Sequence, residues 1–143
     1  RRDLLPAADG PLRVVLGPND DWFESDSVGD LLGGPYTVST SSNRVGVRLV
    51  GTPLRRGRAG ELATSGMVTG AMQVPPDGQP IVLLANHGPT GGYPVVAVVA
   101  TVDLPRAGQA RPGGTLSFTA VSREQAVAAY ARLRTAITRA VSA

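Results

Sequence analysis

Much of the chain alternates apolar and polar positions with a period of two, as strands with one buried face do. Leu12–Leu16 is an apolar, β-branched run halted by Gly17-Pro18. Residues 36–40 and 44–50 read as two more strands, the second with Val45, Val47 and Leu49 alternating against Gly46 and Arg48. Residues 80–86 are an apolar run of strand length, and residues 115–121 alternate again. Residues 94–102 are apolar on both parities, which predicts a strand buried on both faces. Helical spacing is confined to a few places. Asn19 or Asp20 is placed to cap a stretch carrying Trp22, Phe23, Val28, Leu31 and Leu32, which ends at Gly33-Gly34. Its acids, Asp20, Asp21, Glu24 and Asp26, fall in the first turns, where they complement the helix dipole. Residues 103–114 suggest one helical turn. Ser122 and Gln125 form a capping box, and the helix after them carries Val127, Tyr130, Leu133, Ile137 and Val141 as one stripe. About six or seven short strands with few helices favour a compact antiparallel β-barrel or sandwich.

Composition narrows this picture. The 18 glycines and 12 prolines among 143 residues supply the turns that short strands need. Apolar residues at 42% exclude a disordered polyelectrolyte, and the length fits one domain. Residues 1–11, with Pro6, Gly10 and Pro11, read as a linker, and no signal peptide is visible. The longest apolar runs, 81–85 and 95–100, are too short to span a bilayer, so a cytoplasmic location is expected. The absence of cysteine removes disulfides, thiolate zinc sites and thiol nucleophiles, and a single histidine removes two-histidine chemistry. All 14 basic residues are arginine, so the pI of about 10.2 reflects a surplus of only +3 on groups that never deprotonate. It does not mark a nucleic-acid surface, since the six aromatic residues are not interleaved with the arginines.

Several constellations carry candidate chemistry, each beside an ordinary reading. Arg55, Arg56 and Arg58, with Arg44 and Arg48 nearby in sequence, suit an anion, or form a solvated turn. His87 stands at a strand end as an acid/base or as a loop histidine without a partner. Asp77, between Pro76 and Gly78, is a catalytic carboxylate or an Asx turn. Gly91-Gly92 would let backbone amides approach a ligand, although paired glycines are also plain turn residues. Ser65-Gly66 lacks a nucleophile-elbow pattern.

Three segments say more together than apart. They are Ser42-Asn43-Arg44-Val45-Gly46-Val47-Arg48-Leu49, then Gly70-Ala71-Met72-Gln73-Val74-Pro75-Pro76-Asp77-Gly78-Gln79-Pro80-Ile81-Val82-Leu83-Leu84-Ala85, then Thr90-Gly91-Gly92-Tyr93-Pro94. In this order and spacing they closely resemble the allophanate hydrolase subunit 2 family, also known as the family of the 5-oxoprolinase C subunit or of biotin-dependent carboxyltransferases. The resemblance covers residues 11–122 and corresponds to the second half of the family's usual subunit. It divides the chain into the linker, a domain at 12–122 and a C-terminal helix at 123–143.

The resemblance implies a mainly β, cyclophilin-like antiparallel β-barrel with one or two short helices and a C-terminal helix. It does not imply prolyl isomerase activity. It implies one part of a two-component bacterial amidohydrolase, of the allophanate hydrolase or ATP-dependent 5-oxoprolinase type, acting on small amide, lactam or ureido substrates. The implied partners are subunit 1 and the N-terminal half of its own subunit, with neither nucleic acid nor membrane. ATP would bind with those partners, because no lysine-containing phosphate loop is present. The alternatives are the biotin-dependent carboxyltransferase domain of a urea carboxylase, and a non-catalytic partner of a kinase inhibitor. Asn43, Arg44, Gln73, Asp77, Gln79, Thr90 and Tyr93 coincide with the family's signature positions, and no metal site is implied. Gln73 and Asn43 would hydrogen-bond an amide, Arg44 would hold a carboxylate or oxyanion, and Gly91 and Gly92 would supply backbone donors. Asn43, Arg44, Gln73, Gln79, Thr90, Gly91 and Gly92 are thus the expected binding set, with Asp77 and Tyr93 as proton-handling groups. The chain departs from the family where Thr64-Ser65 replaces a usual Ser-Glu, and where Asn86-His87-Gly88-Pro89 replaces Asp-x-Gln-Thr.

Overall fold

A computed structural model describes residues 9–142, so most of the expected linker and Ala143 lie outside the described residues. The strands are β1 (Leu12–Leu16), β2 (Tyr36–Val38), β3 (Gly46–Val50), β4 (Ser65–Gly66), β5 (Ala71–Gln73), β6 (Ile81–Leu83), β7 (Thr90–Gly91), β8 (Val95–Val99), β9 (Thr115–Leu116) and β10 (Phe118–Ala120). Three helices accompany them: α1 (Ser25–Gly33), α2 (Leu104–Gly108) and α3 (Arg123–Val141). Eight strands join in the order β10-β1-β8-β5-β6-β3-β2-β9, and β4 pairs with β7 separately. The two ends of the large sheet, β9 and β10, are separated in sequence by Ser117 alone, so the sheet curls into a nearly closed barrel. The Ser117 carbonyl accepts a hydrogen bond from Leu12 N at 2.8 Å, which accounts for the break in the expected 115–121 strand. Among the described residues every pairing in this sheet is antiparallel except β1 with β10, which is parallel.

The predicted alternation sets the core. Leu12 and Val14 of β1, Val47 and Leu49 of β3, Met72 of β5 and Val82 of β6 point inward and are buried. Tyr36 and Phe118 meet across the closing seam, with ring centroids 6.3 Å apart and tilted by 55°. The Tyr36 hydroxyl donates to the Thr52 carbonyl at 2.8 Å, so its polar end is satisfied as its ring is buried. Strand β8 is buried along almost its whole length, as its two-sided apolar pattern requires.

Two expected elements take another form, each for a local reason. The helix expected from Asn19 begins at Ser25 with Glu24 at its N-cap, after a short 3-10 turn at Asp20–Trp22. Asn19 is unavailable as a cap because its Oδ1 accepts from Val95 N of β8 at 3.0 Å. The expected 94–102 strand stops at Val99, and Thr101–Asp103 forms a second 3-10 turn. That turn carries the buried Asp103 carboxylate to Arg13 of β1. Its Oδ2 accepts from Arg13 N at 2.9 Å and Nε at 2.8 Å, and its Oδ1 accepts from a terminal guanidinium nitrogen at 2.9 Å.

The capping box is present in both directions: Ser122 Oγ accepts from Gln125 N at 3.1 Å, and Gln125 Oε1 from Ser122 N at 2.8 Å. The stripe on α3 divides. Ala126, Ala129 and Leu133 pack on Ala100 and Val102, whereas Val127, Tyr130, Ile137 and Val141 are exposed. A mostly apolar groove of about 460 Å³ runs between α3 and the barrel, lined by Leu16, Val98, Ala126, Val127 and Tyr130 among others. Among the described residues no helix is long and apolar enough to cross a membrane.

Burial alone would raise the Asp103 pKa, but the side-chain and backbone hydrogen bonds from Arg13, then its charge, outweigh burial and hold it below the ordinary 3.8. A carboxylate with a depressed native pKa contributes stability that is fully present above its unfolded pKa and lost as pH falls through the native one. Denaturant titrations should therefore show stability that is flat above about pH 5 and declines in acid, with a shallower decline in Asp103→Asn. Arg13→Ala leaves the buried carboxylate only the residue-13 backbone N–H and Arg106, 3.8 Å away, and should cost about 2–3 kcal/mol at pH 7. Asp103→Asn should cost less, because Arg13 is 38% exposed and water can solvate it.

Candidate functional site

The outer face of the barrel carries the site, because the cross-strand register leaves it there. Gln73 of β5 lies opposite Ile81 of β6, which lies opposite Arg48 of β3, so the three form one outward row. Over the Gln73 end sits a flap made by β4 and β7, with Ser65 opposite Gly91 and Gly66 opposite Thr90. Met67 N donates to the Pro89 carbonyl at 2.9 Å and extends the flap by one bond. Beneath it Met67, Ile81 and Val98 pack on the buried Ala71, Leu83 and Val95, a second apolar cluster outside the barrel core.

Gln73 joins flap to barrel. Its Nε2 donates to Met67 Sδ at 3.5 Å, and the Gly91 backbone lies so close that a Cβ there would overlap the Gln73 amide. Glycine at position 91 thus leaves room for the Gln73 amide to reach Met67, and a side chain there would push that amide aside. Thr90, Gly92 and Tyr93 are exposed on the same segment. The Tyr93 hydroxyl has no hydrogen-bond partner among the described residues.

Asn43 and Arg44 occupy the tip between β2 and β3. Asn43 Oδ1 accepts from Val45 N at 2.9 Å and from Gly46 N at 3.4 Å, which fixes the tip as an Asx turn. Arg44 is exposed, and its guanidinium has no partner among the described residues. Its carbonyl accepts from Asn86 N at 3.4 Å, which ties this tip to the segment leading into β7. Of the expected site residues, Gln73, Thr90, Gly91 and Gly92 are therefore brought together at the flap, with Arg44 linked to them through the backbone.

Asp77 and Gln79 belong elsewhere. Asp77 Oδ1 accepts from Gln79 N at 3.0 Å, in a turn closed by Gly78 N donating to the Pro75 carbonyl at 3.0 Å. The Gln79 amide clamps the Gly51 backbone, with Nε2 donating to its carbonyl at 3.1 Å and Oε1 accepting from its N–H at 2.9 Å. Both residues line a second cleft of about 440 Å³ with Ser39, Ser41, Arg48 and Ile81. Arg48 is absent from the binding set expected from the sequence. Its signal was its place in the strand alternation, opposite Ile81 and two strands from Gln73.

The arginine loop is largely neutralised. Arg55 pairs with Glu24 at 2.7 Å and with Asp30 at 3.5 Å, and Arg58 pairs with Asp21 at 2.7 Å. Arg56 donates to the Val74 carbonyl at 3.3 Å. Of the acids expected to serve the helix dipole, Asp21 and Glu24 serve this loop instead, while Asp26 does lie in the first turn of α1. His87 Nδ1 lies 2.6 Å from the Gly88 carbonyl, a contact within its own loop. Among the described residues no group of three or more His, Cys, Asp or Glu could hold a metal ion. With Arg55 and Arg58 paired, and Gly91 packed on Gln73, these residues do not form a cradle for a nucleotide triphosphate.

Comparison with known proteins follows the same lines. The family described as carboxyltransferase domain, subdomain A and B, matches residues 2–120. The chain is 36% identical over 118 residues to the C subunit of 5-oxoprolinase from Escherichia coli, covering 82% of this chain and 38% of that protein. It is 41% identical over 91 residues to the C subunit of 5-oxoprolinase from Haemophilus influenzae, covering 64% and 29%. The chain therefore spans well under half the length of these curated relatives. The crystal structure of the K. lactis urea amidolyase superposes with a TM-score of 0.87 at 25% identity, over 96% of this chain and 9% of that one.

Three substitutions test these contacts. Gln79→Ala removes both hydrogen bonds to Gly51 and should lower unfolding free energy by about 1–3 kcal/mol in denaturant titrations. Gly91→Ala should displace Gln73 from Met67. Adding Gln73→Ala should restore part of the loss, so a double-mutant cycle should give a favourable coupling of about 0.5–3 kcal/mol.

Proposed function

The chain belongs to the carboxyltransferase-domain family, subdomains A and B, and from that membership we propose that it is one part of a multi-subunit, ATP-dependent hydrolase of small lactams. Its substrate on this reading is 5-oxoproline. The observation that carries the reading is the 36% identity to a 5-oxoprolinase C subunit across 82% of the chain. The flap geometry supports it. Gln73 and the Asn43 side-chain nitrogen offer neutral hydrogen bonds for a lactam, and the unpartnered Arg44 offers a bidentate cation for a carboxylate or a developing oxyanion.

Hydrolysis breaks the lactam C–N bond, adds hydroxyl to the carbonyl carbon and delivers a proton to nitrogen. Tyr93, exposed beside Gly92 with a free hydroxyl among the described residues, is the group on this flap able to relay that proton. Asp77 lies in the Arg48 cleft and is given no part in the step. ATP and the remaining chemistry fall to a partner subunit and to the portion of the relatives' length that this chain does not span. A second reading, the carboxyltransferase domain of a biotin-dependent urea carboxylase, is favoured by the fit to the K. lactis urea amidolyase at a TM-score of 0.87.

Reconstitution of the complete subunit with its partner decides between these readings. ATP hydrolysis is measured against 5-oxoproline, urea and allophanate. Stimulation by 5-oxoproline is expected, and Arg44→Ala should lower it by about a hundredfold without changing the melting temperature. Gln73→Ala should lower it as much, with a lower melting temperature because the flap loses its contact to Met67. Stimulation by urea alone would support the carboxyltransferase reading. A stable complex stimulated by none of the three would support a non-catalytic regulatory role.

A further inference from the structure

We propose that the cleft lined by Arg48 and Asp77 binds a small aminocarboxylate, with the carboxylate on Arg48 and the ammonium on Asp77. The two side chains carry opposite charges and share the walls of one cleft of about 440 Å³, yet no ion pair within 4.0 Å joins them. Each is anchored by its own backbone surroundings. Arg48 N donates to Ser42 Oγ at 3.0 Å, and its carbonyl accepts from Ser39 N at 2.9 Å. One oxygen of Asp77 is held by Gln79 N at 3.0 Å, which leaves the other facing no partner among the described residues. A ligand carrying both charges completes both groups at once. The Ser39 and Ser41 hydroxyls add donors, while Pro75, Pro80 and Ile81 give the cleft an apolar side for a short carbon chain. Gln79 contributes wall but no free amide, because Gly51 takes both of its polar atoms.

The identity of the ligand rests on the function proposed above, although the charge recognition does not. Water added across the C–N bond of 5-oxoproline frees one amine and one carboxylate, so the opened product is glutamate. The lactam itself lacks the ammonium that Asp77 would meet. On this basis the flap takes the closed ring and the Arg48 cleft takes the opened chain.

The test is an NMR titration of the full ¹⁵N-labelled chain with L-glutamate, glutarate and 5-oxoproline. L-Glutamate should give saturable shifts at the amides of Ser41, Arg48 and Gln79. It should bind those positions at least about tenfold more tightly than glutarate or 5-oxoproline, as loss of one charge-assisted hydrogen bond implies. Arg48→Gln and Asp77→Asn should each weaken it by about tenfold or more. Asp77→Asn should keep its melting temperature, because asparagine retains the oxygen that accepts from Gln79 N. Glutarate binding as tightly as glutamate, no saturable shift at these amides, or indifference to Asp77→Asn would each overturn the proposal. Glutamate binding without 5-oxoproline-stimulated ATP hydrolysis would leave this site standing and remove the proposed reaction. Turnover without glutamate binding would do the reverse.

Discussion

Met72, Val82 and Val47 stand side by side inside the barrel, and that row decides what faces outward beside it. Their burial fixes the pairing of β5, β6 and β3, since a slip of one residue would turn these apolar side chains to solvent. With the inner row fixed, the next row outward is Gln73, Ile81 and Arg48. One end lies under the flap and the other opens into the Arg48 cleft. Both candidate binding surfaces are thus consequences of core packing on the opposite face of the same strands. Ile81 belongs to both, packed under the flap and lining the cleft.

The rigidity of that face comes from how the barrel is shut. The chain passes from β9 to β10 through Ser117, and pairing with β2 on one side and β1 on the other leaves only a narrow seam. Tyr36 and Phe118 fill the seam from within. The Arg13–Asp103 pair holds β1 to the turn after β8, and α3 rests on Ala100 and Val102 around that same turn. A buried ion pair contributes little net stability against apolar residues of the same volume, but breaking it is costly. Its effect here is to hold the end of β8 and the approach to α3 in one arrangement.

The sequence was most legible where period-two burial and local hydrogen bonds agreed. Leu12–Leu16 matches its strand at both ends, and the Ser122–Gln125 box caps its helix as the motif requires. Misreadings came where a distant partner claimed a residue with strong local preference. Asn19 looks like an N-cap, but Val95, 76 positions away, takes its side-chain oxygen. The run through 94–102 looks like one strand, but Asp103 is drawn to Arg13, 90 positions away. The stripe on α3 is a genuine helical pattern whose period cannot say how much of it this barrel covers. At the site, motif resemblance gathers Asp77 and Gln79 with the flap residues, whereas Asp77 between Pro76 and Gly78 also reads as an Asx turn, the form it takes. Arg48 reads in the sequence only as a neighbour of the arginine loop, because placing it in the Gln73 row needs the register of three strands.

The distribution of donors and bases across the outer face bears on how the labour is divided. The flap offers hydrogen-bond donors and a tyrosine, and the unpartnered Arg44 stands at the tip between β2 and β3. His87 Nδ1 contacts the Gly88 carbonyl and leaves Nε2 without a partner among the described residues, and Asp77 lies in the other cleft. General-base hydrolysis needs a proton acceptor within hydrogen-bond reach of the attacking water. Under the proposed function, the flap and the β2–β3 tip hold the substrate's carbonyl and carboxylate, and the base comes either from His87 Nε2 or from another surface. The two clefts also differ chemically: under the proposals above, the flap takes a neutral amide and the Arg48 cleft takes a molecule carrying both charges.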